Sequence, residues 1–186
     1  MQNKLTEHFT LDEFTDSDTA IRLGIDNLLI DAVIIENLKR TAIMAEAVRT
    51  ILSDEAQHEV YMVVTSGYRS EALEKVICKK DYEAWCFRHN QKLSEDSWNS
   101  YFSTKAHPKG LAIDFRAPLF GTPFHIVRIL QTHQELMGQI DQIILEGVTS
   151  TQEGWVHIGW STHPRHQIRT AIFDKDGTPY YTEGLT

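Results

Sequence analysis

Two short stretches set the limits on how this chain folds. The first, STKAHPKGLAIDF (103–115), places His107 and Asp114 seven residues apart, with Pro108 and Gly110 between them. The second, GWVHIGW (154–160), sets His157 among apolar and aromatic residues. On an unbroken helix seven residues rise about 10.5 Å, too far for two side chains to share an ion. Pro108 and Gly110 disfavour such a helix in any case. GLAIDF reads instead as a strand, with Leu111, Ile113 and Phe115 on one face and Ala112 and Asp114 on the other. WVHIGW alternates in the same way, placing Trp155, His157 and Gly159 opposite Val156, Ile158 and Trp160. Paired so that Asp114 and His157 share a face, the two strands leave His107 to return from the turn. Two imidazoles and a carboxylate then match the three-ligand set of a catalytic zinc, which keeps a fourth position for water. On spacing alone, three unrelated residues in ordinary strands and loops is the plainer reading.

Other phrases change that balance. LTEHFTLDEFTDSDTA opens the chain at 5–20, SGYRS stands at 66–70, H-x-x-G-x-A-x-D at 107–114 and GWVHI at 154–158. In that order they resemble the zinc D-Ala-D-Ala carboxypeptidase family, the M15-type peptidoglycan peptidases, and more narrowly its short phage and prophage members. The likeness covers about residues 5 to 160, with a gap near 75–104. It implies zinc held by His107, Asp114 and His157, and hydrolysis of peptide bonds in peptidoglycan stem peptides, terminal or internal. It also implies that Arg69 grips the substrate carboxylate, for which a planar guanidinium is well shaped. Tyr68 beside it packs against the peptide or plugs the loop.

Two positions depart from that pattern. Lys105 stands where relatives commonly carry a serine, and Gly154 where many carry an acid three residues before the last histidine. The general base therefore has to come from elsewhere. Glu153 is near in sequence, but four residues of extended strand put it about 13 Å from His157. Glu146 ends the segment DQIILE and, if it pairs near Trp155, shares the face of His157 one step along. The short phage-type relatives carry an acid at this place, so Glu146 is the expected base and Glu153 the fallback. The same fold can also hold zinc for structure alone, which leaves a non-catalytic wall-binding or phage structural module as the alternative.

The remaining segments supply scaffolding. Thr10 and Glu13 form a capping box, with Phe9 and Phe14 at staple positions, and a short helix over 17–23 stops at Gly24. The longest helix runs from Asp31 to about Leu52, with Ile34, Leu38, Ala42, Ala45, Val48 and Leu52 on its apolar face. Val60 to Thr65 is a strand leading to Arg69. Residues 72–104 form a helical insertion of one or two helices, the second starting after Ser94. That insertion is a lid or substrate wall on one reading and a satellite core on the other. A helix over 123–136 follows, then strand 141–146, a loop through 149–151 into GWVHIGW, and a final hairpin turning at Asp176-Gly177. His125, His133, His163 and His166 have no third ligand to join and read as surface or capping residues.

The expected fold is thus α+β, Hedgehog/DD-peptidase-like. N-terminal helices pack on one antiparallel sheet of about four to six strands, with a single zinc site on the sheet's open face, in one domain over 1–186. With 18 Lys+Arg against 26 Asp+Glu, the net charge of −8 argues against a phosphate-backbone partner, so no nucleic acid is expected. No apolar run is long enough for membrane insertion. MQNKLTEHF has no apolar core of a secretion signal, so the expectation is a cytoplasmic monomer that acts at the cell wall after release. Cys78 and Cys86 match no common zinc spacing and suit reduced thiols.

Overall fold

The computed structural model describes residues 4–28, 31–149 and 153–186, with Glu153 by its backbone only. Ser150 and Thr151 of the expected 149–151 loop lie outside the described residues. At the N-terminus the capping box forms around α1 (Leu11–Thr15). The Thr10 hydroxyl accepts from the Glu13 N–H, and the Glu13 carboxylate accepts from the Thr10 N–H. Phe9 and Phe14 then meet edge to face at 5.9 Å inside the core. After α2 (Asp18–Leu23), the long α3 (Ala32–Ala56) is capped by Asp31 and extends one turn past the expected end at Leu52. Leu38, Ala42, Ala45, Val48 and Leu52 are fully buried on its inner face.

Residues 71–104 form three helices rather than one or two: α4 (Glu71–Ile77), α5 (Lys79–Arg88) and α6 (Glu95–Phe102). The rings of Tyr82, Trp85, Trp98 and Tyr101 pack together with centroids 5.2–5.8 Å apart. This is a satellite core, and the same helices also wall a cleft described below. Beyond them, the helix expected over 123–136 is divided into α7 (Pro123–Leu130) and α8 (Gln134–Met137), because the backbone turns extended at His133.

Six strands form one sheet: β1 (Val63–Ser66), β2 (Ala112–Arg116), β3 (Ile140–Val148), β4 (Glu153–Trp160), β5 (Gln167–Phe173) and β6 (Pro179–Glu183). Their spatial order is β1-β2-β4-β3-β5-β6. The α+β class matches the expectation, but the sheet is mixed rather than wholly antiparallel. β3 and β5 run parallel, and every other pair is antiparallel. Connectivity accounts for this. Trp160 ends β4 opposite Ile140, at the start of β3, and β2 already occupies the other edge of β4. The chain therefore begins β5 beside the start of β3 and runs with it. β1 also starts later than expected, at Val63, leaving Val60 and Met62 as buried residues of the approach.

The two faces of the sheet differ. Ile113, Phe115, Ile143, Val156 and Ile158 point into a hydrophobic core shared with α1, α3 and α7. Ala112, Asp114, Ile144, Glu146 and His157 alternate onto the opposite face, as the period of two requires. Among the described residues, no helix is long and apolar enough to cross a membrane.

Gly154 accounts for one departure noted in the sequence. It sits in the β3–β4 hairpin at φ +73°, and a Cβ there would lie 2.1 Å from the backbone oxygen of Glu146. No side chain, acidic or otherwise, fits. Gly177 has a similar φ of +79° but open space around it. Gly177→Ala should therefore cost only the left-handed backbone term, about 1 kcal/mol. Gly154→Ala should cost about 3 kcal/mol, because the hairpin must also move. Chemical denaturation of both variants measures the difference, and equal losses would contradict the close approach.

Candidate metal centre and active site

His107 reaches the sheet from a single 3-10 turn, His107–Lys109, closed by Gly110. The long helix holds this turn in place. The buried Thr41 hydroxyl of α3 donates to the Gly110 carbonyl at 2.7 Å and accepts from Trp160 Nε1 at 2.6 Å. Asn37 donates to the Lys109 carbonyl at 2.9 Å. The His107 ring is fixed from its far side, where Nδ1 lies 2.6 Å from the Gly67 carbonyl oxygen. A carbonyl can only accept, so Nδ1 carries the proton and Nε2 presents its lone pair to the sheet. Gly67 itself lies hard against α1, where a Cβ would come within 2.4 Å of the Phe14 carbonyl oxygen.

Asp114 on β2 stands directly opposite His157 on β4. His107 Nε2, His157 Nδ1 and Asp114 Oδ1 form a triangle with sides of 3.2, 3.2 and 2.8 Å. Zinc with ligands at about 2.0–2.1 Å in tetrahedral array spaces them by roughly 3.3 Å. The triangle is close to one face of that tetrahedron, so the donor set fits the ion in size and chemistry. Among the described residues these three form the buried group able to hold a metal.

Asp114 is held by its other oxygen. Arg69 Nη2 donates to Oδ2 at 2.6 Å, Nε donates to the Ser66 hydroxyl at 2.9 Å, and Nη1 reaches the buried Glu74 at 3.4 Å. The guanidinium expected to grip a substrate carboxylate is thus engaged by residues of this chain, and it orients a candidate metal ligand. Tyr68, the neighbouring candidate, turns away. Its ring packs against the hydrophobic core and its hydroxyl feels the carboxylates of Asp31 and Asp26.

Protonation follows from these contacts. Burial and the Arg69 charge keep His107 below the usual imidazole value, in its neutral form. Burial opposes ionisation of Asp114, but its imidazole and guanidinium partners together outweigh it and hold the carboxyl well below its ordinary range. His157 moves the other way, because the Asp114 hydrogen bond and charge overcome burial and raise it. One acceptor in the triangle is already bare, another is anionic, and His157 holds a proton that a metal must displace.

Glu146 lies opposite Trp155 on the hairpin, one diagonal step from His157. Trp155 Nε1 donates to its Oε2 at 3.1 Å. Burial, with repulsion from Asp114, pushes its carboxyl up to about 7. Both residues line a cleft of about 710 Å³ between the sheet and helices α4–α6, together with His107, Asp114, His157 and Arg69. The face carrying the candidate metal group is therefore walled along one side by helices α4–α6 rather than open. The side chain of Glu153, the fallback base, lies outside the described residues. Cys78 also lines the cleft, but its thiol donates to Glu74 at 3.1 Å and burial pushes it up to about 12, so it stays protonated. Lys105 donates to Asp81 at 2.6 Å, and the Tyr101 hydroxyl shares the same oxygen.

Sequence reasoning did not find the Arg69 contacts with Ser66 and Glu74. A serine three residues before it and an acid in the following helix turn were the available signals. Comparisons with protein-family models, with curated proteins and with solved structures find no match.

Two outcomes are expected from metal titration. Wherever the pH lies below the raised His157 pKa, metal must displace a proton there, so apparent affinity should fall as pH drops through that pKa and level off above it. Calorimetry in buffers of different ionisation enthalpy counts that proton. Arg69→Met should weaken metal binding by about 10–100-fold, as loss of an orienting partner does. Unchanged affinity in this variant would mean that Asp114 keeps its position unaided.

Proposed function

We propose that the protein is a zinc-dependent peptidase acting on peptidoglycan stem peptides. The observation carrying this reading is one cleft that holds both a near-tetrahedral His–Asp–His face and, on the adjacent strand, a carboxyl raised to about 7. A structural metal site has no use for the second feature, whereas amide hydrolysis needs it. The substrate class rests on the resemblance of SGYRS, H-x-x-G-x-A-x-D and GWVHI to the M15-type peptidases, in the order in which they occur.

When bound, zinc supplies Lewis-acid polarisation of the scissile carbonyl and makes water more acidic. The residues of the chain do the rest. Arg69 fixes Oδ2 of Asp114, which turns Oδ1 toward the two imidazoles. With Oε2 of Glu146 engaged by Trp155, Oε1 is the atom that takes a proton from the attacking water. It returns that proton to the leaving amine, so one amide bond and one water become a carboxylate and an amine. A group with a pKa near the working pH suits both transfers. The satellite helices wall one side of the cleft.

One observation favours a second reading, a non-catalytic zinc module. The Arg69 guanidinium already has three partners inside the protein, the arrangement of a structural charge network rather than a free substrate clamp. The two readings part on Glu146. Glu146→Gln keeps shape but cannot accept a proton, so kcat should fall by roughly 10²–10⁴-fold with zinc content unchanged. The acid limb of the wild-type pH profile should rise with pH, because the base must be ionised, and it should lie at or below about 7. Mass spectrometry of muropeptides incubated with the zinc-loaded protein supplies the rates. A wild-type protein that leaves every muropeptide intact would decide for the module.

A further inference from the structure

The C-terminal hairpin brings a residue into the cleft from beyond the stretch of sequence that resembles a known family. Strand register places Trp155, Glu146, Ala171 and Tyr181 in one row across β4, β3, β5 and β6. Neighbours in such a row point to the same face of the sheet, so Tyr181 stands on the face of Glu146 and His157. Two strand spacings separate the backbones of Glu146 and Tyr181 by roughly 9.6 Å. The residue between them, Ala171, is too small to fill that gap. A phenol ring can lean across it, and Tyr181 lines the same cleft as the His–Asp–His group, with 37% of its surface exposed.

Its hydroxyl is chemically available. Among the described residues it has no hydrogen-bond partner, whereas the buried hydroxyl of Tyr101 is tied to Asp81. Burial and the nearby carboxylates of Asp81 and Glu146 keep the Tyr181 proton in place, with Arg88 acting weakly in the other direction. A protonated phenol donates. A neutral peptide carbonyl oxygen is an acceptor that such a donor can take.

We infer that the Tyr181 hydroxyl is a substrate-contacting hydrogen-bond donor. It takes a carbonyl oxygen of the bound peptide on the side of Glu146 away from the His107, Asp114 and His157 group. This rests on the peptidase reading and extends it, because it sets where the peptide runs: from the metal centre over Glu146 toward β6, between the sheet and α5. Tyr180, the adjacent residue of β6, points to the opposite face and has no part in the cleft.

The test uses the zinc-loaded protein and isolated muropeptides, with turnover and calorimetric binding measured side by side. Tyr181→Phe keeps the ring and removes one donor. It should weaken muropeptide binding and lower kcat/KM by about tenfold, with zinc content and thermal midpoint unchanged. Tyr180→Phe should behave as wild type. Wild-type binding and turnover in Tyr181→Phe would overturn the inference while leaving the peptidase reading intact. Losses that appear equally in Tyr180→Phe, or that accompany a lower midpoint or zinc content, would also overturn it. A wild-type protein that binds muropeptides without cleaving them removes the peptidase reading, and the affinity of Tyr181→Phe still decides the role of the phenol. A wild-type protein that neither binds nor cleaves removes both.

Discussion

The carboxylate of Asp114 is the point on which the arrangement turns. It is almost wholly buried, and an isolated buried carboxylate is strongly disfavoured. Two imidazoles meet one of its oxygens and the Arg69 guanidinium meets the other. That guanidinium also touches Glu74, which is 1% exposed. The Arg69 cation thus faces both the Asp114 carboxylate and the Glu74 side chain, and the Glu146 carboxyl adjoins them. Such a site gains from a further positive charge. The Asp114 carboxylate raises the His157 pKa for the same reason, and a divalent cation would answer that need more fully.

The scaffold converts that electrostatic need into a fixed shape. Each residue of the candidate metal group is anchored by an element that performs a separate packing task. α3 buries an apolar stripe and, through Thr41, also fixes the turn carrying His107. α1 buries Phe14 and, through its carbonyl, receives the Tyr68 N–H, which sets the loop whose Gly67 carbonyl orients the His107 ring. The core face and the cleft face of β2 and β4 alternate residue by residue. Moving His157 out of the cleft would therefore require Val156 and Ile158 to leave the core as well.

Much of this was legible in the sequence because it is local or periodic. Alternation in GLAIDF and GWVHIGW placed Asp114 and His157 on one face, and Pro108-Lys109-Gly110 announced the turn. The capping residues Thr10, Asp31 and Ser94 start helices where their side chains can accept backbone N–H groups. What the sequence did not disclose depends on contacts between distant segments. Nothing local in Gln167–Phe173 tells that it will run parallel to β3, since that follows from which sheet edge is free. Arg69 looked like an outward clamp because its partner Asp114 lies 45 residues away. Gly154 looked like a lost acid, yet its reason is a backbone oxygen on the neighbouring strand.

The same distinction explains Lys105. Judged against a serine at that place, a lysine two residues before His107 looks like damage to the site. In the fold its ammonium meets Asp81 on α5 and lies 4.0 Å from the centroid of the Tyr101 ring on α6. Asp81 is buried, so its charge needs the lysine as much as the lysine needs a partner. The pairing depends on α5 and α6, because Asp81 belongs to the first and Tyr101 to the second. One ion pair ties the turn that carries His107 to the wall of the cleft. Helices α5 and α6 are therefore coupled to the candidate metal site through the residue that seemed to count against it.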